Sequence, residues 1–214
     1  RCESQARKAS DLTNASPSLI GQRIAVIGNT GSGKSTLAEQ LAELLGVPFV
    51  ELDAINWQPN WVGLHDTNPE EFKRQIAAAT AGDGWVTAGS YASFSQEVFW
   101  PRLETAIWLD PPLALIVWRV LSRSWRRWRT KELLWGTNYE SFWQHLALWR
   151  RADSLLWWAL TQHRVKRAKY LSMMDDPQWG HVRFVRLTSV DEVDALVASI
   201  RTETQSRQVA DSSG

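Results

Sequence analysis

The fold of this chain is decided by one stretch, Gly28-Asn29-Thr30-Gly31-Ser32-Gly33-Lys34-Ser35-Thr36, which matches the pattern G-x-x-x-x-G-K-[ST]. Glycines let such a loop turn its backbone N–H groups inward, where they can hold phosphate oxygens. Lys34 places an ammonium at the β- and γ-phosphates, and Ser35 offers a hydroxyl to Mg²⁺. The stretch therefore predicts a phosphate-binding loop (P-loop), and we expect all nine residues to contact ATP.

The flanks of the loop have the patterns that the motif requires. The β-rich run at 23–27 comes immediately before it. Leucines then recur at helical spacing at positions 37, 41, 44 and 45, and Gly46 is a typical end for that helix. A strand, a glycine-rich loop and a helix at 34–45 follow one another, so a nucleoside triphosphate is the expected ligand.

Length and composition limit the possible classes of protein. The 214 residues suffice for one α/β domain, and the formal net charge of +1 does not favour a nucleic-acid partner. The single cysteine, Cys2, excludes an internal disulfide and suits a reducing compartment. The sequence shows neither an apolar run of membrane-spanning length nor a signal-peptide pattern, so we expect a cytoplasmic protein without a membrane anchor.

Strand and helix patterns alternate along the chain. The predicted strands lie at 23–27, 48–53, 84–88, 104–109 and 181–187. The predicted helices lie at about 34–45, 69–81, 112–128, 138–149, 153–169 and 189–201. Alternation of this kind indicates a parallel sheet with helices on both faces. We expect a disordered lead-in at 1–20, one domain at 21–201 and a flexible tail at 202–214.

The second predicted strand delivers Asp53 to the edge of the sheet where ligands of parallel sheets gather. Asp53 could accept a proton from a substrate hydroxyl or hold Mg²⁺ through water, and its structural alternative is a solvated loop position. In the loop that follows, Trp57 and Trp61 could stack on a flat acceptor such as a nucleobase, or they could pack against each other.

The segment 118–129 separates into two faces at 100° per residue. One face carries Trp118, Leu121, Trp125 and Trp128, and the opposite face carries Arg119, Arg123, Arg126 and Arg127. This count predicts a helix that packs its tryptophans inward and presents guanidinium groups. Arg119 and Arg123 are therefore candidates to stabilise the transferring phosphoryl group, although an ordinary solvated basic face gives the same pattern.

Other polar residues give weaker signals. Arg102, just before the fourth strand, could bind an acceptor phosphate or cap the sheet. The four histidines show no metal-ligand spacing, and we assign them no catalytic role. The basic residues at 164, 166, 167 and 169 are typical of a solvated helix face.

The chain resembles the adenylate-kinase-like P-loop kinases, and most closely the branch labelled DNA topology modulation protein. The resemblance covers roughly residues 22–200 and depends on several motifs besides the P-loop. They are Leu52-Asp53-Ala54-Ile55-Asn56-Trp57-Gln58-Pro59-Asn60-Trp61, Trp85-Val86-Thr87-Ala88-Gly89-Ser90-Tyr91, Arg102, Trp108-Leu109-Asp110-Pro111-Pro112, the Arg119 and Arg123 pair, and Trp135-Gly136-Thr137-Asn138-Tyr139-Glu140.

The resemblance implies a three-layer P-loop NTPase fold with a five-stranded parallel sheet in the order 2-3-1-4-5 and a helical lid at about 119–140. It also implies ATP with Mg²⁺ and an acceptor site that includes Tyr91. Adenylate kinases often have an aspartate where this chain has Ala88, so Ser35 and Asp53 are the expected metal ligands.

The leading hypothesis from the sequence is an ATP-dependent kinase that acts on a small nucleotide-like or hydroxyl acceptor, with Lys34, Asp53, Arg119 and Arg123 as catalytic residues. Ala88 motivates a second hypothesis, a regulatory ATP-binding protein with little turnover. The arginine helix and the family label motivate a third, a nucleic-acid-associated protein, which the net charge disfavours.

Overall fold

The computed structural model describes residues 20–131, 133–134, 138–139 and 155–212. The predicted lead-in lies outside these ranges except for Ile20. The predicted helix at 138–149 lies outside them from residue 140 onward, and so does most of the motif at 135–140.

The centre of the molecule is a parallel five-stranded sheet. Its strands are β1 (Arg23–Gly28), β2 (Phe49–Glu51), β3 (Trp85–Ala88), β4 (Thr105–Leu109) and β5 (Arg183–Leu187). They lie in the spatial order β2-β3-β1-β4-β5, which is 2-3-1-4-5 along the chain. Two short hairpins, which the sequence did not predict, lie outside this sheet: Trp57–Gln58 pairs with Val62–Gly63, and Leu133–Leu134 pairs with Asn138–Tyr139. The α/β P-loop fold with its parallel sheet is therefore confirmed.

Eight α-helices of the described residues connect and cover these strands. They are α1 (Lys34–Leu45), α2 (Leu52–Asn56), α3 (Leu64–Thr67), α4 (Pro69–Ala79), α5 (Ala92–Val98), α6 (Leu113–Thr130), α7 (Leu155–Met174) and α8 (Val190–Ser212). In the described part of the chain, no helix combines the length and the apolar character that crossing a membrane requires.

Local sequence signals fix several helix ends. Asn68 accepts a hydrogen bond from the Glu71 N–H at 3.2 Å and Pro69 occupies the first turn, so α4 begins as predicted. The Ser189 hydroxyl accepts from the Glu192 N–H at 3.1 Å at the start of α8. These caps satisfy N–H groups that have no partner within the helix.

The sheet separates two hydrophobic clusters, which makes the domain three-layered. Alternate residues of β4 point to opposite faces, so Ile107 enters one cluster and Trp108 the other. The Ile107 cluster is covered by α1 and α8, and the Trp108 cluster by α4 and α7. Because both faces are covered, β1 is a nearly continuous apolar run.

Three boundaries differ from the sequence prediction. Strand β2 ends at Glu51, and Asp53 lies in the first turn of α2 instead of at a strand end. Helix α8 continues through Ser212, because the segment from 202 contains neither glycine nor proline to end it. The residues Asn138 and Tyr139 pair with Leu133 and Leu134 as a short hairpin and do not begin a helix.

The predicted orientation of the α6 tryptophans is wrong. Trp118 is 67% exposed, Trp125 47% and Trp128 40%. The buried face of α6 instead carries Ile116, Val120 and Ser124. This face packs on the P-loop: a Cβ placed on Gly31 would stand 2.7 Å from Val120 Cγ2. The 3.6-residue period was read correctly, but the face that packs inward is the one opposite the tryptophans, and the close approach is possible because Gly31 has no side chain.

We expect Ile107→Ala to lower the free energy of unfolding by roughly 2–5 kcal/mol and Ile107→Val by roughly 0.5–1.5 kcal/mol, because Ile107 is fully buried in the central sheet. Urea denaturation measures both changes. Val165→Ala is the matched control, since Val165 is 59% exposed. Equal effects at positions 107 and 165 would contradict the core described here.

Candidate active site

The P-loop has the backbone conformation that its glycines predict. Gly31 and Gly33 have φ of 72° and 98°, in the left-handed region that favours glycine. A Cβ on Gly33 would also stand 3.3 Å from Arg119 Nη1. Ser32 Oγ is buried and has no hydrogen-bond partner in the described structure, so this hydroxyl is available to a ligand held by the loop.

Lys34 lies inside the loop, where its Nζ donates to the Asn29 carbonyl at 2.8 Å. Burial, together with the positive charges of Lys166 and Arg123, lowers the pKa of Lys34 to about 8. The carboxylates of Asp53 and Glu51 act in the opposite direction. The site therefore holds a poorly solvated ammonium, which the negative charge of a phosphate would stabilise.

The carboxylate nearest to Ser35 is Glu51, a residue that the sequence analysis missed. Ser35 Oγ donates to Glu51 Oε1 at 2.8 Å. A hydroxyl and a carboxylate are hard oxygen ligands that suit Mg²⁺, which takes few protein ligands and completes its shell with water and phosphate oxygens. Two residues further on, Asp53 makes a different contact, so Glu51 is the carboxylate placed to share a cation with Ser35, whereas the metal-ligand role of Asp53 stays a prediction.

A cavity of about 600 Å³ extends from the P-loop between α1, α6 and the start of α8. Arg119, Arg123 and Arg126 line it. Arg119 Nη1 donates to the Ser32 carbonyl at 3.0 Å, directly over the loop. Leu109, Pro111, Leu187 and Val190 form part of the remaining wall and give it an apolar side. Charged and apolar walls in one cavity suit the phosphates and the base of a nucleotide, respectively.

Asp53 faces a second group of polar and aromatic residues. Tyr91 donates its hydroxyl to Asp53 Oδ1 at 2.8 Å, and burial together with the Asp53 charge raises the pKa of Tyr91. Tyr91 therefore remains a donor at neutral pH and orients the carboxylate. The predicted acceptor residues Trp57 and Trp61 contact each other edge to face, with ring centroids 5.7 Å apart.

His65, to which the sequence analysis gave no role, joins this group. Its ring lies 5.4 Å from Tyr91 and 6.4 Å from Trp57, measured between centroids. Its Nδ1 lies 2.7 Å from Oδ1 of the fully buried Asn56, which also accepts from the His65 N–H at 3.0 Å. A lone histidine gives no local sequence signal, so only the fold brings His65 to Tyr91.

Arg102 lies outside the site, and its predicted acceptor role is corrected. Its guanidinium donates to the carbonyls of Thr80 and Ala81, where α4 ends. It also precedes β4, whereas the P-loop follows β1. Because the strands are parallel, Arg102 lies at their amino ends and the P-loop at their carboxyl ends. Arg102 therefore caps the end of α4, and not the sheet as the alternative prediction had it.

Comparison with known proteins gives one family model and several solved structures. Residues 24–81 match the family model described as ATPase family associated with various cellular activities (AAA). The chain is similar to a solved gluconokinase from Sinorhizobium meliloti 1021, with 21% identity, a TM-score of 0.46 and coverage of 89% of this chain and 97% of that one. It is also similar to shikimate kinase from Bacteroides thetaiotaomicron, with 16% identity, a TM-score of 0.47 and coverage of 86% and 98%.

The fold and the loop define the class of this protein: it has the α/β P-loop fold. The loop conformation, the enclosed Lys34 ammonium and the adjoining cavity each support that class without reference to a relative.

We expect the affinity for Mg·ATP to fall as pH rises through about 8, because Lys34 then loses the proton that its ammonium needs to bind phosphate. Calorimetric titrations between pH 7 and 9.5 measure this change. Lys34→Arg should show a shallower pH dependence, since a guanidinium keeps its charge over that range. An affinity for Mg·ATP that is constant between pH 7 and 9.5 would contradict the assignment of Lys34 as the phosphate-binding ammonium.

The same low pKa also affects stability. Between about pH 8 and 10.5 the unfolded chain binds the Lys34 proton more tightly than the folded chain, so this group increases the free energy of unfolding as pH rises over that range.

Proposed function

We propose that this protein is an ATP-dependent phosphotransferase that acts on a small hydroxyl-bearing molecule in the cytoplasm. The observation that carries the proposal is the position of Asp53, whose carboxylate is oriented by Tyr91 on one side and acts on the Lys34 ammonium on the other. A general base beside the lysine of a P-loop is the arrangement that moving a phosphoryl group requires.

ATP is held in this proposal by the P-loop and the adjoining cavity. The backbone of 28–36 and Lys34 bind the β- and γ-phosphates, and the adenine ring of ATP enters the cavity between α6 and the start of α8. Arg119 and Arg123 extend from α6 over the loop and offset the charge of the phosphates.

Ser35 and Glu51 would hold Mg²⁺, because together they supply a hydroxyl and a carboxylate beside the loop. When bound, the ion neutralises charge on the β- and γ-phosphates. Asp53 could contact one of its waters, but the Tyr91 hydrogen bond keeps one carboxylate oxygen on the acceptor side.

In the transfer step, the acceptor oxygen forms a bond to the γ-phosphorus while the bond from that phosphorus to the β–γ bridging oxygen breaks. ADP leaves with the electron pair of the broken bond. Asp53 takes the proton of the acceptor hydroxyl, and Tyr91 keeps the Asp53 carboxylate turned toward that hydroxyl. Arg119, Arg123 and Lys34 stabilise the negative charge on the transferring group.

The acceptor half of the molecule favours a hydroxyl compound over one that carries a phosphate. Residues 49–103, all of which the structure describes, contain three basic side chains apart from histidine. Lys73 pairs with Glu70 and Glu97, Arg74 pairs with Glu71, and Arg102 caps α4. An acceptor phosphate would therefore find no uncommitted lysine or arginine within this range, whereas aromatic rings beside a carboxylate suit a ring that carries hydroxyl groups.

The alternative, a regulatory ATP-binding protein with little turnover, was motivated by Ala88 in place of an acid. Glu51 supplies a carboxylate beside Ser35, so the missing acid at the end of β3 no longer argues against turnover. A native protein that binds Mg·ATP and never consumes it would support the alternative.

We expect Asp53→Asn to lower kcat for phosphoryl transfer at least 100-fold while the Kd for Mg·ATP changes less than threefold, because the amide cannot take the acceptor proton. Transfer from labelled ATP to a panel of polyols, sugars, nucleosides and nucleoside monophosphates measures kcat once an acceptor is found. Calorimetry measures Kd.

Asp83→Asn is the matched control, since Asp83 is an exposed aspartate that precedes β3, at the far edge of the sheet from the P-loop. It should leave kcat unchanged. The proposal fails if no member of the panel is labelled although Mg·ATP binds, or if Asp53→Asn transfers phosphate at the native rate.

A further inference from the structure

Helix α7 is fixed to the carboxyl edge of the sheet beside the P-loop. Arg167 Nε lies 3.3 Å from Asp110 Oδ2, and Asp110, which directly follows β4, is almost completely buried. Arg186 from β5 pairs with the same carboxylate oxygen. Two guanidinium groups on one buried carboxylate give α7 a defined position at the end of β4.

One turn further along α7, Tyr170 reaches the base of the P-loop. Its buried ring packs against Trp108 with centroids 5.5 Å apart. Burial raises the pKa of its hydroxyl, while hydrogen bonds from the Ser90 side chain and the Gly28 backbone oppose the rise. Tyr170, Ser90 and Tyr91 line the same small cavity of about 10 Å³. This face of α7 is therefore directed at the ends of β1 and β3.

Helical spacing places Lys166 on that same face. It precedes Tyr170 by four residues, and side chains at i and i+4 are neighbours on a helix surface. Lys166 is half-buried, whereas Arg164, Arg167 and Lys169 are exposed. The solvated basic face predicted from the sequence therefore describes Arg164 and Lys169, but not the half-buried Lys166 or Arg167, which pairs with Asp110.

Lys166, placed by this geometry near the ends of β1 and β3, interacts electrostatically with both halves of the candidate site. It is the neighbouring charge that lowers the pKa of Lys34 most. The carboxylate of Asp53 is in turn the neighbouring charge that acts most strongly on Lys166, and it opposes the lowering of the Lys166 pKa by burial and by Lys169. Lys34 binds the donor phosphates in our proposal and Asp53 faces the acceptor, so the γ-phosphoryl group would pass close to Lys166.

We propose that Lys166 binds the γ-phosphate of ATP as a second lysine of the phosphate site, supplied by α7 and held in place by the Tyr170 and Arg167 contacts of that helix. This inference depends on the proposed nucleotide site and extends it to an element that no P-loop motif includes. Two ammonium groups repel each other until a phosphate carrying negative charge lies between them, so Lys166 distinguishes ATP from ADP.

The test is the ratio of the Kd for Mg·ADP to the Kd for Mg·ATP, measured by calorimetry on the full chain. We expect Lys166→Ala to lower this ratio about tenfold, by weakening ATP binding while the ADP affinity changes less than twofold, because only ATP has the γ-phosphate. Lys166→Arg should keep most of the ratio. Lys166→Met retains an unbranched apolar stem, so it repeats the test if the alanine variant unfolds.

Lys169→Ala is the matched control, since Lys169 is an exposed lysine three residues further along α7. It should leave both constants within twofold of the native values. The inference is overturned if Lys166→Ala or Lys166→Met leaves the ratio unchanged, or weakens both nucleotides equally, while the native protein binds ATP. If the native protein binds neither nucleotide, the proposed function fails and takes this inference with it.

Discussion

The structure depends on one electrostatic constraint, an ammonium withdrawn from water at the centre of a loop of main-chain amides. The Lys34 ammonium is held by the Asn29 carbonyl and is repelled by Lys166 and Arg123, while Asp53 and Glu51 attract it. Each of these groups comes from a different element: α7, α6, α2 and β2. The sheet order brings these elements to one edge, because parallel strands place all of their carboxyl ends together. A phosphate group at this point would offset the repulsion between Lys34, Lys166 and Arg123. A bound nucleotide would therefore stabilise the positive charges that these elements bring together.

The sequence predicted the sheet well, because its strands are short apolar runs between clear glycine and proline signals. The P-loop, the caps of α4 and α8 and the parallel topology each have a local cause that can be read from adjacent residues. The sequence was less informative about orientation. The α6 tryptophans lie on the face that an angular count assigns to them, but hydrophobicity alone put that face on the wrong side. The contact with Gly31 is made by the face of Ile116 and Val120, and nothing near Trp118 in the sequence encodes that contact.

The candidate site shows the same division between local and distant signals. Arg119 and Arg123 could be found because their spacing places them one helical turn apart, beside a loop already identified. Glu51 was missed because β2 ends two residues earlier than its apolar pattern suggests, which leaves Glu51 beside Ser35 and carries Asp53 into α2. His65, Tyr170 and Lys166 have no sequence motif, and each joins the site through contacts between residues that are distant in the chain.

The contact between Gly31 and Val120 also provides a point about which α6 could rotate. Val120 is the point at which the helix rests on the P-loop, and ten more residues follow it up to Thr130, a length of about 15 Å at 1.5 Å per residue. Over that length, a rotation of α6 about Val120 by about 10° would move Thr130 by roughly 2.6 Å. A change in the shape of the loop that rotated α6 in this way would produce a larger displacement at the end of the helix than at Val120. The hairpin of Leu133–Leu134 and Asn138–Tyr139 begins only a few residues beyond that end.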